Sequence, residues 1–466
     1  MHDLSSSKTL RKATVFGGLV LAAVLLAGCK GISTPGERAA RADLRNVSEV
    51  YRPQNQRPAL PTLHTNAGLS NFLAFAMLNQ PQVEGAYFDW AASVQRITRE
   101  RSLPDPRLTF ETDISDAVMS VMPGLMMDFP GPGKLKWAAN VATAESRARY
   151  FDFEASVLKT AFALKQAYYQ LHFLDARVAV NKQTLDLMRD LERLARAQNE
   201  AGKVTLQDVL RAQIEQDRLT TEITNLEDSR NPLLAQFKAA LGLNPEQPNP
   251  PVPSQFESTP LDLTAERLFE VALERNPRLR VMQAEVQRAE ASLRLAYKAR
   301  VPDFTVGLQA DAKASPVIYT PQIAITLPIW RDKIAAQIAQ AQAGKRAAEA
   351  RLTAEQITLA VDFAEKSFVF REASRNLALL QSQLLPKAEQ SFQVARSGYA
   401  AGTVDFINFI DAERTLLSFQ LTEVEARIQR ELALAELSLL ILGAPPAGAP
   451  VLGQPLVSQN TSKSQR

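Results

Sequence analysis

One pattern of residues occurs twice in the chain, at an interval of 200 positions (402 − 202). The stretch ARAQNEAGKVTLQDVLRAQ contains Gly202, and the stretch ARSGYAAGTVDFINFIDAE contains Gly402. An earlier pair, LNQPQVEGAYFDWAASVQRI with Pro81 and LERNPRLRVMQAEVQRAEASL with Pro277, has an interval of 196 (277 − 81). Because the paired segments keep their order along the chain, they predict a duplicated unit with internal pseudo-symmetry.

Each copy contains long segments with few helix-breaking residues. Residues 134–201 include no glycine and no proline, a run of 68 positions (201 − 134 + 1). An uninterrupted helix of that length would extend about 100 Å. Pro232 interrupts the returning segment of the first copy, and Pro386 is expected to kink the outgoing segment of the second. Since glycine commonly ends helices in the left-handed conformation, Gly202 and Gly402 are predicted to be the turns of two long antiparallel helical hairpins.

Between the first helix and the long hairpin, each copy has segments in which hydrophobicity alternates. In LPDPRLTFETD, Leu108 and Phe110 face one way, whereas Thr109 and Glu111 face the other. VPDFTVGLQAD in the second copy has the same period of two, and so do the return segments of both copies. The sequence therefore predicts a mainly α fold with four strands per chain. Alternation of this kind fits a soluble two-layer sheet and also a barrel that faces lipid outside and water inside.

The N-terminus and the composition limit the class of protein. Three basic residues precede the apolar run ATVFGGLVLAAVLLAG, which is shorter than the roughly 20 residues of a spanning helix. The run ends at LAGC, where Cys29 is the only cysteine. This start resembles a bacterial lipoprotein signal, which predicts lipidation of Cys29; the alternative is an ordinary thiol. The charge is nearly balanced, with 53 Lys and Arg against 50 Asp and Glu, and no basic stripe for nucleic acid is evident.

These features divide the chain into six segments. The stretch LNPEQPNPPVPSQFESTP between the copies is too rich in proline to be helical and is interpreted as a linker. The predicted segments are a signal peptide (1–28), a lipid-anchored N-terminal linker (29–66), the first repeat (67–243), the linker (244–260), the second repeat (261–443) and a disordered C-terminal tail (444–466).

With the lipidation signal, the duplicated unit and the paired Ala-Gly-x-Val tips, the chain resembles the TolC family of outer-membrane efflux proteins from Ala67 to Gly443. The resemblance implies a homotrimer with a periplasmic α-barrel and an outer-membrane β-barrel of about 12 strands, four from each chain. It further implies a passive exit duct that receives cargo from an inner-membrane pump through a periplasmic adaptor. The family includes drug and heavy-metal efflux members, and a duct for type I protein secretion remains an alternative.

The resemblance also assigns roles to residues at and near the two turns. It places the adaptor contacts at the tips, although the glycines could simply end helices and the valines could pack locally. It places the periplasmic gate on the helices that follow, although acids on a helix surface are commonly only solvated, and Asp208 could pair with Arg211. The tip candidates are Gly202, Lys203, Val204, Gly402, Thr403 and Val404, and the gate candidates are Asp208, Arg211, Asp405, Asn408 and Asp411.

Other functions are less well supported by the sequence. No nucleophile elbow, phosphate-binding loop or metal-ligand spacing is present, so the chain is not expected to be an enzyme, and its only expected prosthetic group is lipid on Cys29. Thioethers at Met119, Met122, Met126 and Met127 would suit Cu(I), but Met127 falls on the apolar side of its strand, and no metal site is predicted. A lipid-tethered periplasmic scaffold or adaptor without a pore would leave the alternating segments unexplained.

Overall fold

A computed structural model describes residues 33–114, 118–253, 256–258, 265–311, 313–446 and 449. The predicted signal peptide, Cys29 and residues 450–466 of the predicted tail lie outside this described part of the chain. Among the described residues, none of the helices combines the length and the apolar character that crossing a bilayer requires.

The first copy consists of short helices, a β-hairpin and a long helical hairpin, preceded by a helix in the segment expected to be a linker. Thr34 caps that first helix, because its side chain accepts a hydrogen bond from the Glu37 N–H at 3.1 Å and Pro35 occupies the first turn. The elements are α1 (Pro35–Tyr51), α2 (Leu69–Asn79), α3 (Pro81–Arg101), β1 (Arg107–Ile114), β2 (Val118–Phe129), α4 (Lys134–Glu200) and α5 (Leu206–Ala240).

The second copy repeats the order of the elements. Its outgoing long helix is divided by a π-helical turn, Leu380–Leu384, directly before Pro386. The elements are α6 (Ala265–Arg275), α7 (Pro277–Tyr297), β3 (Asp303–Asp311), β4 (Ile318–Thr326), α8 (Arg331–Leu379), α9 (Leu385–Ala400) and α10 (Phe406–Glu436), followed by a second π-helical turn, Leu437–Ile441.

The two prolines of the long hairpins behave differently. Pro386, where the sequence predicted a kink, follows closely on a π-helical turn, and its missing N–H cannot donate to the helical hydrogen-bond ladder. Helix α5, by contrast, runs through Pro232 without interruption. Leu226 and Leu233, on either side of this proline, pack with Leu174 and Val178 of α4 in one small apolar cluster.

Side-chain amides just before the leading proline close each copy against its last helical turn, and the counterpart of Asn276 by position is Gln80, whose amide donates to the Ala239 carbonyl at 2.9 Å. The Asn79 amide donates hydrogen bonds to the carbonyls of Leu241 (2.9 Å) and Gly242 (3.1 Å), just beyond the end of α5. In the second copy, the amide of Asn276 donates to Leu440 (3.1 Å) and Ile441 (3.0 Å) at the end of the second long hairpin. Each unit therefore joins the start of its proline-led helix to its own last turn, which is the pseudo-symmetry that the sequence repeat predicted.

The core is distributed unequally between the copies. Helix α4 buries 27 residues, including Phe153, whose ring stacks on Trp90 and meets Tyr87 of α3 edge-on. Its counterpart is the divided helix of α8, the π-helical turn and α9, which bury five, one and four residues, and α8 is rich in alanine. The aromatic core therefore lies around α4, and most of the surface of α8 is not covered by the part of the chain that the structure describes.

The two β-hairpins form one antiparallel sheet in the order β1-β2-β3-β4. The central pair, β2 with β3, joins the first copy to the second, with Leu125 opposite Leu308 and Phe129 opposite Phe304. The same register places Leu108 opposite Leu125. Apolar residues of all four strands therefore lie in rows on one face of the sheet.

Candidate functional site

The apolar face of the sheet is exposed. Phe110 is 69 % and Ile323 is 74 % accessible, and Leu108, Leu125, Phe304, Val306, Leu308 and Ile325 are also exposed. Monomeric soluble proteins seldom leave so large a contiguous apolar surface in water. The face therefore requires lipid or another apolar partner.

The opposite face of the sheet is polar and hydrogen-bonded across strands. The Gln309 amide donates to Glu111 at 2.9 Å and accepts a hydrogen bond from the amide of Gln322. The Thr305 hydroxyl donates to Asp128 at 2.6 Å, and Arg107 lies 2.8 Å from the other oxygen of that carboxylate. The alternation seen in the sequence is therefore a sheet with one apolar surface and one polar surface.

The first hairpin tip is a glycine turn. Gly202 has a φ of +73°, and a Cβ added there would meet nothing within 4 Å, so the backbone conformation and not crowding selects glycine. The Lys203 N–H donates to the Gln198 carbonyl at 2.8 Å, which closes the end of α4. Gly202 and Lys203 are exposed, whereas Val204 packs against the apolar cluster of the two hairpins.

The second tip has the same conformation and a tighter approach. Gly402 has a φ of +77°, and the Thr403 N–H donates to the Gly398 carbonyl at 2.8 Å. A Cβ at Gly398 would lie 2.4 Å from a methyl group of Val404, so this turn packs its valine directly over the preceding helix. Gly402 and Thr403 are exposed and Val404 is half-buried.

The gate candidates lie just beyond these tips. The Asp208 carboxylate caps α5, since it accepts a hydrogen bond from the Thr205 N–H at 3.2 Å, and it lies 4.0 Å from the Arg211 guanidinium. Asp208 and Arg211 therefore approach each other along one helix, as the alternative interpretation allowed. Asp405 is the N-cap residue of α10, and Asn408 and Asp411 are exposed on that helix. The structure thus groups the five residues near the tips without bringing the two sets into an ion pair.

A shared apolar cluster holds the two hairpins together above the tips. Phe392 and Tyr399 of α9 stack with Phe409 of α10, and Val209 and Ala212 of α5 belong to the same cluster. The Tyr399 hydroxyl is buried and has no hydrogen-bond partner among the described residues. Burial, followed by the charge of Asp208 on the other hairpin, raises the pKa of Tyr399 to about 12.

Buried charges cross the same interface, and the sequence analysis did not identify them. Glu215 of α5 is buried and pairs with Arg414 of α10 and with Arg218 at 3.0 Å. Burial acts to raise the pKa of Glu215, but hydrogen bonds from Arg414 and Arg218 outweigh it and hold the pKa below its usual value. Arg414 therefore links the second hairpin directly to the first.

Glu413, next to Arg414, is also buried, being 4 % accessible. Burial, and then the charge of Glu215, raises the pKa of Glu413 to about 7. A local sequence signal exists for this residue, because Glu413 interrupts an apolar stripe formed by Phe406, Phe409, Ile410, Leu416 and Leu417. The hairpin interface thus contains one carboxyl group with a lowered pKa, Glu215, and one with a raised pKa, Glu413.

Two methionines of β2 have defined neighbours across the strands. Met126 lies opposite Arg107 and Gly307, and Met122 lies opposite Glu111. Within the described residues, no group of three or more His, Cys, Asp or Glu side chains is arranged to hold a metal ion.

The chain is similar to known proteins over most of its length. The family described as Outer membrane efflux protein matches residues 77–243 and 268–443, which correspond to the two copies. The cobalt-zinc-cadmium resistance protein CzcC of Cupriavidus metallidurans is 26 % identical over 265 residues, which is 54 % of this chain and 60 % of that protein. The match therefore spans less than two thirds of this relative's length.

Solved structures show the same fold at low sequence identity. A membrane protein from Pseudomonas aeruginosa superposes with a TM-score of 0.71 at 18 % identity, covering 86 % of this chain and 98 % of the other. The outer membrane channel MtrE of Neisseria gonorrhoeae, solved in its open state, gives 0.69 at 16 % identity, covering 85 % and 99 %. Since both matched segments coincide with the duplicated units, the chain belongs to the outer membrane efflux protein family.

Proposed function

We propose that the chain is the outer-membrane exit duct of an efflux system and conducts its cargo passively. The observation that carries this proposal is the sheet, whose one face is exposed and apolar while its other face is polar and hydrogen-bonded. Lipid outside and water inside satisfy both faces at once. The long helical hairpins continue from the same sheet and would extend the aqueous path into the periplasm.

The duct requires more than one chain. Strands β1 and β4 are the edges of the four-stranded sheet, and open edges are not tolerated within lipid. Three chains would supply about 12 strands, which is within the range of known barrels. Helix α8 supports this assembly, because Ile357, Val361 and Phe368 are exposed on it and would be covered by a neighbouring chain. We therefore propose a homotrimer.

Cys29 is the proposed site of lipid attachment, and acyl chains there would tether the N-terminus to the outer membrane. Helix α1 begins at Pro35, six positions later (35 − 29), and packs against α3 and α4. A Cys29→Ser variant should lose incorporation of labelled fatty acid. Retention of the label in that variant would place the lipid elsewhere.

The exposed tips are proposed to meet a periplasmic adaptor that couples the duct to an inner-membrane pump. Gly202, Lys203, Gly402 and Thr403 are accessible for such a contact, whereas Val204 is partly covered by its own hairpin. A Lys203→Cys variant carrying a short crosslinker should capture the adaptor in cells. A cysteine at exposed Arg351, far along α8, provides the matched control that should not capture it.

Divalent metal cations are the cargo to test first, because the relative in C. metallidurans is named for resistance to cobalt, zinc and cadmium. Drugs, organic solvents and secreted proteins are the other classes that the fold could conduct. Deletion of the gene should lower the tolerated concentration of one class, and re-expression should restore it.

The decisive experiment is conductance in a planar bilayer by the detergent-purified trimer. We expect discrete single-channel currents from the oligomer. A lipid-tethered scaffold without a pore would give none, and its apolar strands would exchange amide protons freely in proteoliposomes. Absence of current combined with fast exchange in residues 107–129 and 303–326 would reject the proposed function.

A further inference from the structure

Basic residues are concentrated at the end of the sheet where the strands join the helices, here called the helix end. The four segments that join strands to helices, residues 96–107, 128–136, 294–303 and 326–333, hold eleven Lys and Arg against five Asp and Glu. The two hairpin loops at the opposite end of the strands, residues 111–120 and 309–319, hold one Lys against four Asp and Glu. The net charge of the connecting segments is therefore positive at the helix end and negative at the opposite end.

Three of the basic side chains are exposed and belong to segments at the same end of the strands. Asp303 pairs with Thr326 at the end of the β3–β4 ladder. Arg300, three residues before Asp303, therefore lies at the helix end, as do Arg331 and Lys333, which follow Thr326. None of these three cations forms an ion pair with a described carboxylate. Lys134, also at the helix end, forms an ion pair with Asp303 at 2.7 Å. Exposed Asp332 lies between Arg331 and Lys333 in the sequence, so the three cations leave a net positive charge that no ion pair among the described residues neutralises.

Large apolar side chains mark the boundary next to this cluster. Leu327, Ile329 and Trp330 are each at least 65 % accessible and directly precede Arg331. The Arg300 guanidinium lies 5.8 Å from the centre of the Tyr297 ring. Exposed tryptophan and tyrosine beside lysine and arginine are typical of the level at which hydrocarbon meets lipid headgroups.

We propose that Arg300, Arg331 and Lys333 form a binding surface for anionic phospholipid headgroups in the leaflet that faces the helices. This inference rests on the proposed function, because it requires the sheet to lie in a bilayer. The guanidinium groups can bind a phosphate through two parallel hydrogen bonds, and the lysine adds a point charge. Trp330 inserts between headgroup and hydrocarbon and fixes the depth of the sheet.

The test measures quenching of Trp330 fluorescence by brominated lipids in vesicles that contain the full-length trimer. Trp90 and Trp137 are the other two tryptophans, so the signal of Trp330 is obtained by subtracting that of a Trp330→Phe variant. Brominated phosphatidylglycerol and brominated phosphatidylcholine are compared at equal fractions. We expect a preference for phosphatidylglycerol of roughly fivefold for each cation that meets a headgroup.

A variant with Arg300→Gln, Arg331→Gln and Lys333→Gln should bring this preference close to one. The matched control neutralises Lys345, Arg346 and Arg351, which are 14 to 20 residues further along the chain than Arg331 (345 − 331 and 351 − 331) and should keep it. Should the triple variant fail to assemble, the wild-type trimer still decides. Its preference must fall between about 0.1 M and about 1 M salt, where the Debye length shortens from about 10 Å to about 3 Å.

The outcomes separate this inference from the proposed function. Equal quenching of Trp330 by both lipids would overturn the headgroup surface and leave the sheet in the bilayer. A preference that persists unchanged in the triple variant would also overturn it. Absence of quenching by either lipid would place the sheet outside the bilayer and reject the proposed function together with this inference.

Discussion

The buried carboxyl group of Glu413 predicts that the hairpin interface loosens as the pH rises. In the folded chain its pKa is about 7, whereas its ordinary value is 4.5. A group with a raised folded pKa binds its proton more tightly in the folded state, so its contribution to stability is complete below pH 4.5 and is lost as the pH rises through 7. The pKa of Glu215 is lowered, so its contribution to stability is present above pH 4.5 and is lost only as the pH falls below that value.

The magnitude follows from the shift. A change from 4.5 to about 7 corresponds to roughly 3 kcal/mol between the neutral and the ionised carboxyl group. A Glu413→Gln substitution keeps the shape and removes the ionisation. We therefore expect the variant to gain less than about 1 kcal/mol near pH 5, with the gain rising to roughly 3 kcal/mol near pH 8.

The assay is amide hydrogen exchange of the detergent-purified trimer, read at residues 406–417 and corrected for the intrinsic rate at each pH. The wild-type opening free energy should decrease between pH 5 and pH 8, whereas that of Glu413→Gln should stay constant. Glu425→Gln, at an exposed position on the same helix, is the control that should keep the wild-type slope. Identical slopes for wild type and Glu413→Gln would refute the reasoning.

Three further predictions concern the tips. Gly402→Ala should destabilise the second hairpin by about 1–2 kcal/mol, because Gly402 has a positive φ. The control Gly344→Ala, within α8 where an added Cβ meets nothing, should stabilise the protein by up to about 1 kcal/mol. Thermal unfolding of the two variants measures both effects. Tyr399→Phe should leave thermal stability within about 0.5 kcal/mol of wild type, because the hydroxyl that it removes is buried without a partner; a loss above about 1 kcal/mol would reveal a hydrogen bond. Asp411→Arg should change single-channel conductance or cation block in a planar bilayer, and unchanged currents would remove this exposed residue from the proposed gate.

The sequence predicted the elements whose causes are local. The absence of glycine and proline from residues 134–201 predicted a single helix, and the structure has one from Lys134 to Glu200. Gly202 and Gly402 predicted the two turns because left-handed backbone favours glycine. The period of two predicted four strands and also which side of each is apolar. These features depend on neighbours a few residues apart, which a pattern records directly.

Features that depend on distant residues were not predicted. Arg414 meets Glu215 across 199 positions (414 − 215), and nothing near either residue specifies that pairing. The unequal cores of α4 and α8 were not predicted either, although the aromatic residues of α4 and the alanines of α8 are visible in the sequence. Helix α1 is a different case, because Thr34, Pro35 and Glu37 carry a recognisable start signal within a segment that was interpreted as a linker.

The pairing of β2 with β3 has a consequence for how rings of this protein can be built. One molecule already contributes a continuous panel in which both halves of the duplication are joined, so only its two outer borders remain to be matched. A closed ring of such panels needs a single type of joint, repeated head to tail. Joints of that kind either close or grow without limit, according to the angle between successive units. In the proposed oligomer, the twist and bend of one panel would therefore set the number of subunits.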